Sequence, residues 1–245
     1  MNPEAYVIMS RTEAIHWWFK GRREIISHII SELNLKQNAS ILEIGCGTGG
    51  NLEMLSQFGS VSGLEMDSNA LSLAKTHSKN RYDLRQGICP DLSPFSEQTF
   101  DLICMFDVLE HINLETETLR EATKLLAKNG RIILTVPAYQ WLWGMHDEFL
   151  HHKRRYNAAM LRKAADSAGL EIRKLTYFNF LLFPIAAASR IIQKIIRGKR
   201  PIGADTPPTP INSTLRWIFA SERFAVNHFH IPFGVSLLAI FEPRR

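Results

Sequence analysis

Ile41-Leu42-Glu43-Ile44-Gly45-Cys46-Gly47-Thr48-Gly49-Gly50-Asn51 is the stretch that decides the architecture. A short apolar strand runs into a turn holding four glycines in six residues, and a helical pattern begins at Asn51. Glycines at this density let the backbone take positive φ and approach a ligand without Cβ interference. The following helix turns its unpaired N–H groups and the positive end of its dipole toward that ligand. The turn therefore reads as a nucleotide-type binding site. Glu43, two residues before the first glycine, selects among such ligands. Its carboxylate repels a pyrophosphate and attracts a cationic ammonium group.

Outward from this stretch, strands are predicted near 40–45, 60–65, 82–87, 100–106, 130–136 and 170–178, with helices near 51–58, 68–78, 115–128 and 158–168 between them. Such alternation predicts an α/β fold with a doubly wound parallel sheet. Gly130 and Gly169 stand where helices should stop. Apolar residues from Ile15 to Leu33 predict one helix over Thr12 to Leu33, carrying the aromatic segment His16-Trp17-Trp18-Phe19 and then Gly21-Arg22-Arg23. The last apolar run, Gly234 to Phe241, has no helix after it, so it predicts a reversed edge strand beside the sixth. The whole of 1–245 divides into an N-terminal helical lid (1–38), a core (39–179), a helical insertion (180–232) and the last strand (233–245). Four prolines between Pro201 and Pro210 predict an irregular middle for the insertion.

Composition narrows the setting. Apolar residues make up 45% of the 245, enough for a full core, and the net charge of +5 is concentrated in Lys153-Arg154-Arg155 and in Arg197 to Arg200. Patchy charge of this kind gives no nucleic-acid face. Three cysteines without metal spacing read as reduced thiols of a cytoplasmic protein. No apolar run reaches the length of a membrane span.

A second acid stands at the right distance to hold ribose hydroxyls: Glu65, closing Val61-Ser62-Gly63-Leu64-Glu65. Gly45, Gly47 and Gly50 also fit G-x-G-x-x-G, a dinucleotide pattern that is weak alone. Glu43 and the tail of the chain favour the other reading. The E-x-G-x-G-x-G pattern, Phe106-Asp107-Val108-Leu109-Glu110-His111 and Val136-Pro137 together resemble the class I S-adenosylmethionine-dependent methyltransferases. Among these the chain is similar to bacterial small-molecule enzymes of types 11, 12 and 23. The resemblance implies a seven-stranded Rossmann-like sheet with an antiparallel last strand, and S-adenosylmethionine as cofactor. It places the cofactor on Glu43, Gly45, Cys46, Gly47, Gly49, Asn51, Glu65, Met66, Gly87, Ile88, Cys89, Phe106 and Asp107. Ile88 departs from the pattern, because an acidic residue usually meets the adenine edge there. A backbone N–H of Ile88 or Cys89 is expected to replace it, with Met66 packing on the ring.

Trp141-Leu142-Trp143-Gly144-Met145-His146-Asp147 and His151-His152-Lys153-Arg154-Arg155-Tyr156 form a loop that the topology sets over the cofactor's methyl group. The resemblance covers this loop as well as the N-terminal aromatic helix. His146 is the expected base, with Asp147 beside it and His151 as the alternative, because histidine titrates near neutrality. Arg154 and Arg155 are read either as a clamp for an acidic acceptor or as an anchor for the next helix. Asp107, Glu110 and His111 are read as packing and capping groups, with a divalent metal held by the three as the lesser alternative. In the insertion, Ile185, Ala188, Ile191, Ile192, Ile195 and Ile196 line one side of a helix opposite Arg190, Lys194 and Arg197. That stripe predicts packing on the fold, a homodimer, or peripheral contact through 180–200 with the inner face of a membrane. The expected activity is methyl transfer to a small-molecule acceptor, at oxygen, with an acceptor related to lipid or polysaccharide and no nucleic acid involved. The alternative is a non-catalytic S-adenosylmethionine-binding or membrane-associated interaction protein.

Overall fold

The computed structural model describes residues 3–196 and 206–244, with side chains described at 5–192 and 206–244. Seven strands form one sheet: β1 (Ala39–Ile44), β2 (Gly59–Glu65), β3 (Asp83–Gln86), β4 (Phe100–Phe106), β5 (Leu126–Pro137), β6 (Leu170–Phe178) and β7 (Ser236–Pro243), in the order β3-β2-β1-β4-β5-β7-β6. The first five are parallel, and β7 runs antiparallel to both its neighbours. Strand order reverses between β1 and β4, and the crevice at such a switch point is where open α/β sheets bind ligands.

The central strands are apolar throughout because both of their faces are covered. Leu42, Ile103 and Leu134 pack toward α5 (Glu115–Lys124) and α7 (Ala158–Ser167), in a cluster that includes Leu119 and Leu161. Ile41, Leu102 and Ile133 alternate to the opposite face. There they meet Ile25, Ile26, Ile29 and Ile30 of α2 (Trp17–Ser31) and Phe219 of α9 (Thr209–Ser221). The remaining helices are α1 (Pro3–Thr12), α3 (Leu52–Leu55), α4 (Ser68–His77), α6 (Met145–Phe149), α8 (Phe183–Ile196) and α10 (Arg223–His228).

Four sequence expectations change. The helix predicted from Thr12 to Leu33 is two helices, because the chain turns at 13–16 and His16 caps α2, its Nδ1 accepting from the Trp18 N–H at 3.2 Å. Gly130 caps nothing; it lies inside β5, where a Cβ would stand 2.7 Å from the Phe100 carbonyl oxygen. Gly169, with φ of 76°, does follow α7 as a left-handed cap residue. The last strand is antiparallel and beside β6 as expected, but it is not an edge strand. Leu237 to Phe241 are buried on both faces, which an edge position could not provide, while β6 exposes Glu171 and Arg173 and takes the edge.

The fourth change concerns the insertion. Its helix α9 docks on α2, and Phe219 stacks on Phe178 with centroids 6.1 Å apart. Asn212 ties the two helices by accepting from the Trp17 N–H and donating to the Ile15 carbonyl, both at 2.9 Å. On α8, by contrast, Ile185, Ile191 and Ile192 are exposed, so these three do not pack on the fold. Arg197, Lys199 and Arg200 lie outside the described residues, as does the stretch predicted irregular from Pro201 to Pro210 as far as residue 205; residues 206–208 are irregular, while Thr209 and Pro210 open α9. No helix among the described residues is long and apolar enough to cross a membrane.

Gly21 sets how close α9 comes to α2: a Cβ there would lie 2.6 Å from the Phe219 ring. Glycine in mid-helix costs about 1 kcal/mol relative to alanine, so its presence is explained by packing. Gly21→Leu is expected to lower stability by about 1–3 kcal/mol in urea unfolding and to loosen the insertion first. A variant as stable as the parent would show that α9 does not rest on α2.

Candidate cofactor and acceptor site

The glycine turn after β1 adopts the conformations its sequence allows: φ is 73° at Gly45, 55° at Gly47 and 91° at Gly49. A Cβ on Gly45 would lie 2.5 Å from Val108, so the turn is also pressed against the segment following β4. Glu43 is fully buried beneath it. One oxygen accepts from Asn51 Nδ2 at 2.7 Å, and the other has no partner among the described residues. Burial pushes its pKa up to about 8, against the lowering effect of the Asn51 hydrogen bond and of nearby Arg22. An orphaned carboxylate oxygen in such a place is costly unless a cation meets it.

Arg22 supplies the complementary charge. Carried by α2, it is 5% exposed, pairs with Asp107, and lies over the Trp18 ring at 4.5 Å. Its Nε has no partner. An unmatched carboxyl oxygen and an unmatched guanidinium N–H are groups that can meet an ammonium and a carboxylate respectively. Arg22 is not among the residues that the sequence pattern assigns to the site. The available signal was its place on the stripe of Ile25, Ile26 and Ile29, where only apolar residues belong.

Glu65 closes β2 with its carboxylate turned to the same turn. It accepts from the Gly47 N–H at 2.9 Å, the Asp67 N–H at 2.9 Å and the Tyr6 hydroxyl of α1 at 3.2 Å. Met66 and Ile88, both more than half exposed, flank this end of the cleft, and the Gly87 N–H donates to the Glu65 carbonyl. Burial raises the Cys89 thiol to about 12, which removes it as a nucleophile near neutral pH. Phe106 is buried, and Asp107 follows it with φ of 55°, its carboxylate committed to Arg22.

The loop after β5 is organised by Asp147, which is fully buried. It accepts from His152 Nδ1 at 2.9 Å, from Arg155 Nε at 2.7 Å and Nη2 at 3.0 Å, and from the Gly144 N–H at 2.9 Å. Burial alone would raise the Asp147 carboxyl, but the His152 and Arg155 hydrogen bonds hold it well below the usual range. Arg155 thus anchors the loop, and Arg154 pairs with Glu115 at 2.7 Å. Neither is a free clamp. His146 is not held by Asp147; burial, with help from Arg190, depresses its pKa to about 4. His151 is exposed, with φ of 55°. The histidine that Asp147 orients is His152, which sequence reading passed over because nothing in its spacing distinguishes it from its neighbours.

His152 faces His111, with ring centroids 4.7 Å apart, and Glu110, whose two carboxyl oxygens are buried without a hydrogen-bond partner among the described residues, His152 Nε2 lying 3.9 Å from Oε1. Ligand atoms of Glu110, His111 and His152 lie within 4.8 Å of one another, a set that could hold a divalent ion. Asp107 is not part of it.

Removing the Asp147 carboxylate would leave Arg155 buried and unpaired. Asp147→Ala is expected to cost about 3–5 kcal/mol in denaturant unfolding. A loss below 1 kcal/mol, the scale of a surface pair, would show that the loop is held by other contacts.

Comparison with known proteins agrees with this geometry. A family model described as a methyltransferase domain, type 23, matches residues 18–175. The ubiquinone biosynthesis O-methyltransferase of Coxiella burnetii is 21% identical over 188 residues, covering 67% of this chain and 80% of that protein. Among solved structures, a methyltransferase of Haloferax volcanii in complex with the activator Trm112 superposes with a TM-score of 0.64 at 18% identity, covering 99% and 96% of the two chains. A TehB-like S-adenosylmethionine-dependent methyltransferase from Corynebacterium glutamicum gives 0.54 at 18% identity over 89% and 86%. The chain belongs to the methyltransferase domain family and is a class I, S-adenosylmethionine-dependent methyltransferase.

Proposed function

We propose that this methyltransferase acts on a hydroxyl oxygen of a small, lipid- or polysaccharide-related acceptor, and that the unmatched pair Glu43 and Arg22 receives the amino-acid end of the cofactor. S-adenosylmethionine, when bound, supplies a methyl group already activated on a sulfonium. Glu43 takes the ammonium and Arg22 the carboxylate, which fills the two vacant hydrogen-bonding atoms in one event. Glu65 takes ribose hydroxyls, while Met66 and Ile88 offer apolar surfaces to the adenine. Asn51 keeps Glu43 in place, and Gly45, Cys46, Gly47 and Gly49 let the backbone come close. Acceptor chemistry then needs a group to remove the hydroxyl proton as the oxygen–carbon bond forms and the sulfur–carbon bond breaks.

The support for that group moves from His146 and His151 to His152. With Nδ1–H given to Asp147, the Nε2 of His152 points toward Glu110, whose Oε1 lies 3.9 Å away, and toward His111. His146, depressed to about 4, is a weak base at neutral pH. Lipid character in the acceptor, and peripheral contact of α8 with the inner face of a membrane, are supported by the exposed Leu181, Ile185, Ile191 and Ile192.

Calorimetry with S-adenosylhomocysteine tests the cofactor reading. With a pKa of about 8, Glu43 is protonated at pH 7 in the free protein. An ammonium group against it favours the ionised form, so binding is expected to release close to one proton at pH 7, fading as pH rises past about 8. Binding heats that do not vary with the buffer's ionisation enthalpy would remove Glu43 from the ammonium site. Once an acceptor is in hand, His152→Ala is expected to reduce kcat by a factor of about 10²–10⁴ with cofactor affinity unchanged, and His146→Ala to do far less. The reverse ranking would return the role to His146.

A further inference from the structure

The cofactor reading leaves α1 unexplained. This helix lies across the glycine turn and touches it at both ends and in the middle. Tyr6, 7% exposed, gives its hydroxyl to Glu65 Oε1. Met9 reaches Gly47, its Cε standing 3.9 Å from where a Cβ on that residue would be. Just beyond the helix, Glu13 accepts from the Thr48 hydroxyl at 2.9 Å, and its carboxylate fills the space above Gly50. Arg23 Nη2 holds the Glu13 carbonyl from behind at 2.6 Å.

The lone pairs of Glu65 decide what this means. A carboxylate oxygen accepts about two hydrogen bonds. Oε1 is filled by the Tyr6 hydroxyl and the Asp67 N–H, and Oε2 takes the Gly47 N–H. One acceptor position remains, whereas the two neighbouring hydroxyls of a ribose need two. The Asp67 and Gly47 donors are backbone groups fixed by β2 and by the turn. The Tyr6 hydroxyl is the one side-chain donor of the three and rides on a separate helix.

Resting on the assignment of Glu65 to the ribose, we propose that Tyr6 occupies the place of a ribose hydroxyl and that α1 must release Glu65 before S-adenosylmethionine can bind. Tyr6 is then a competitor for the cofactor's own contact, and α1 a gate on cofactor entry. Its outward face carries Val7 and Ile8, both exposed.

Tyr6→Phe keeps the buried ring and removes the competing hydroxyl. S-adenosylhomocysteine is expected to bind this variant about tenfold more tightly than the parent, the factor that one hydrogen bond of ordinary net strength represents. In the unaltered protein, hydrogen exchange at the amides of residues 5–12 is expected to accelerate when S-adenosylhomocysteine is added. Unchanged or weaker binding by Tyr6→Phe overturns the proposal. So does slower exchange of α1 in the complex, since that would make Tyr6 a lid closing over bound cofactor. Glu65→Gln separates this failure from that of the underlying reading. If the ligand binds the parent and Glu65→Gln equally well, Glu65 does not hold the ribose and both inferences fall; if Glu65→Gln alone loses affinity, only the gate is lost.

Discussion

A carboxyl group buried at the end of β1 is the constraint around which the glycine turn and α2 are arranged. Glu43 has one satisfied oxygen and one that is not, and its neighbour Arg22 has a guanidinium N–H in the same condition. Desolvating such groups costs several kcal/mol each unless partners are supplied. The fold tolerates this because the apolar cores on both sheet faces are extensive, and because Asn51, Asp107 and the Trp18 ring meet part of the requirement.

Holding Arg22 there requires α2 to be rigid, and the insertion provides that rigidity. Phe219 presses on Gly21 one residue before Arg22, and Asn212 ties both backbones at the start of the helix. A segment distant in sequence thus positions a cofactor-site side chain. Its coupling to α1 follows from the chain itself, since Ile15 and His16 lie between the two helices and Ile15 is the residue Asn212 grips.

The acceptor side depends on a second buried charge, and here the requirement is fully met. Four donors converge on Asp147, so its loop is fixed to the sheet edge and the His152 ring has one orientation. Glu43 keeps one unmatched oxygen, whereas both oxygens of Asp147 are matched by the chain.

Local chemistry determined the strands, the glycine turn, Glu43 and Glu65, because period, turn residues and short motif spacing act over a few neighbours and are written in order along the chain. The reversed last strand was legible too, from an apolar run with no helix after it. Its place between β5 and β6 was not, since which strand takes the edge depends on the relative burial of two segments some sixty residues apart. The break at 13–16 was hidden because His16 caps α2 from within an unbroken aromatic run. Among three histidines within seven residues, 146, 151 and 152, sequence offered near-neutral chemistry for each. Tertiary structure separates them: Asp147 reaches His152, His146 is partly buried and His151 lies in solvent. Arg22 and Tyr6 belong to the same class. Their partners, Asp107 and Glu65, lie 85 and 59 residues away, and a side chain's role across that distance is set by packing, which no local pattern records.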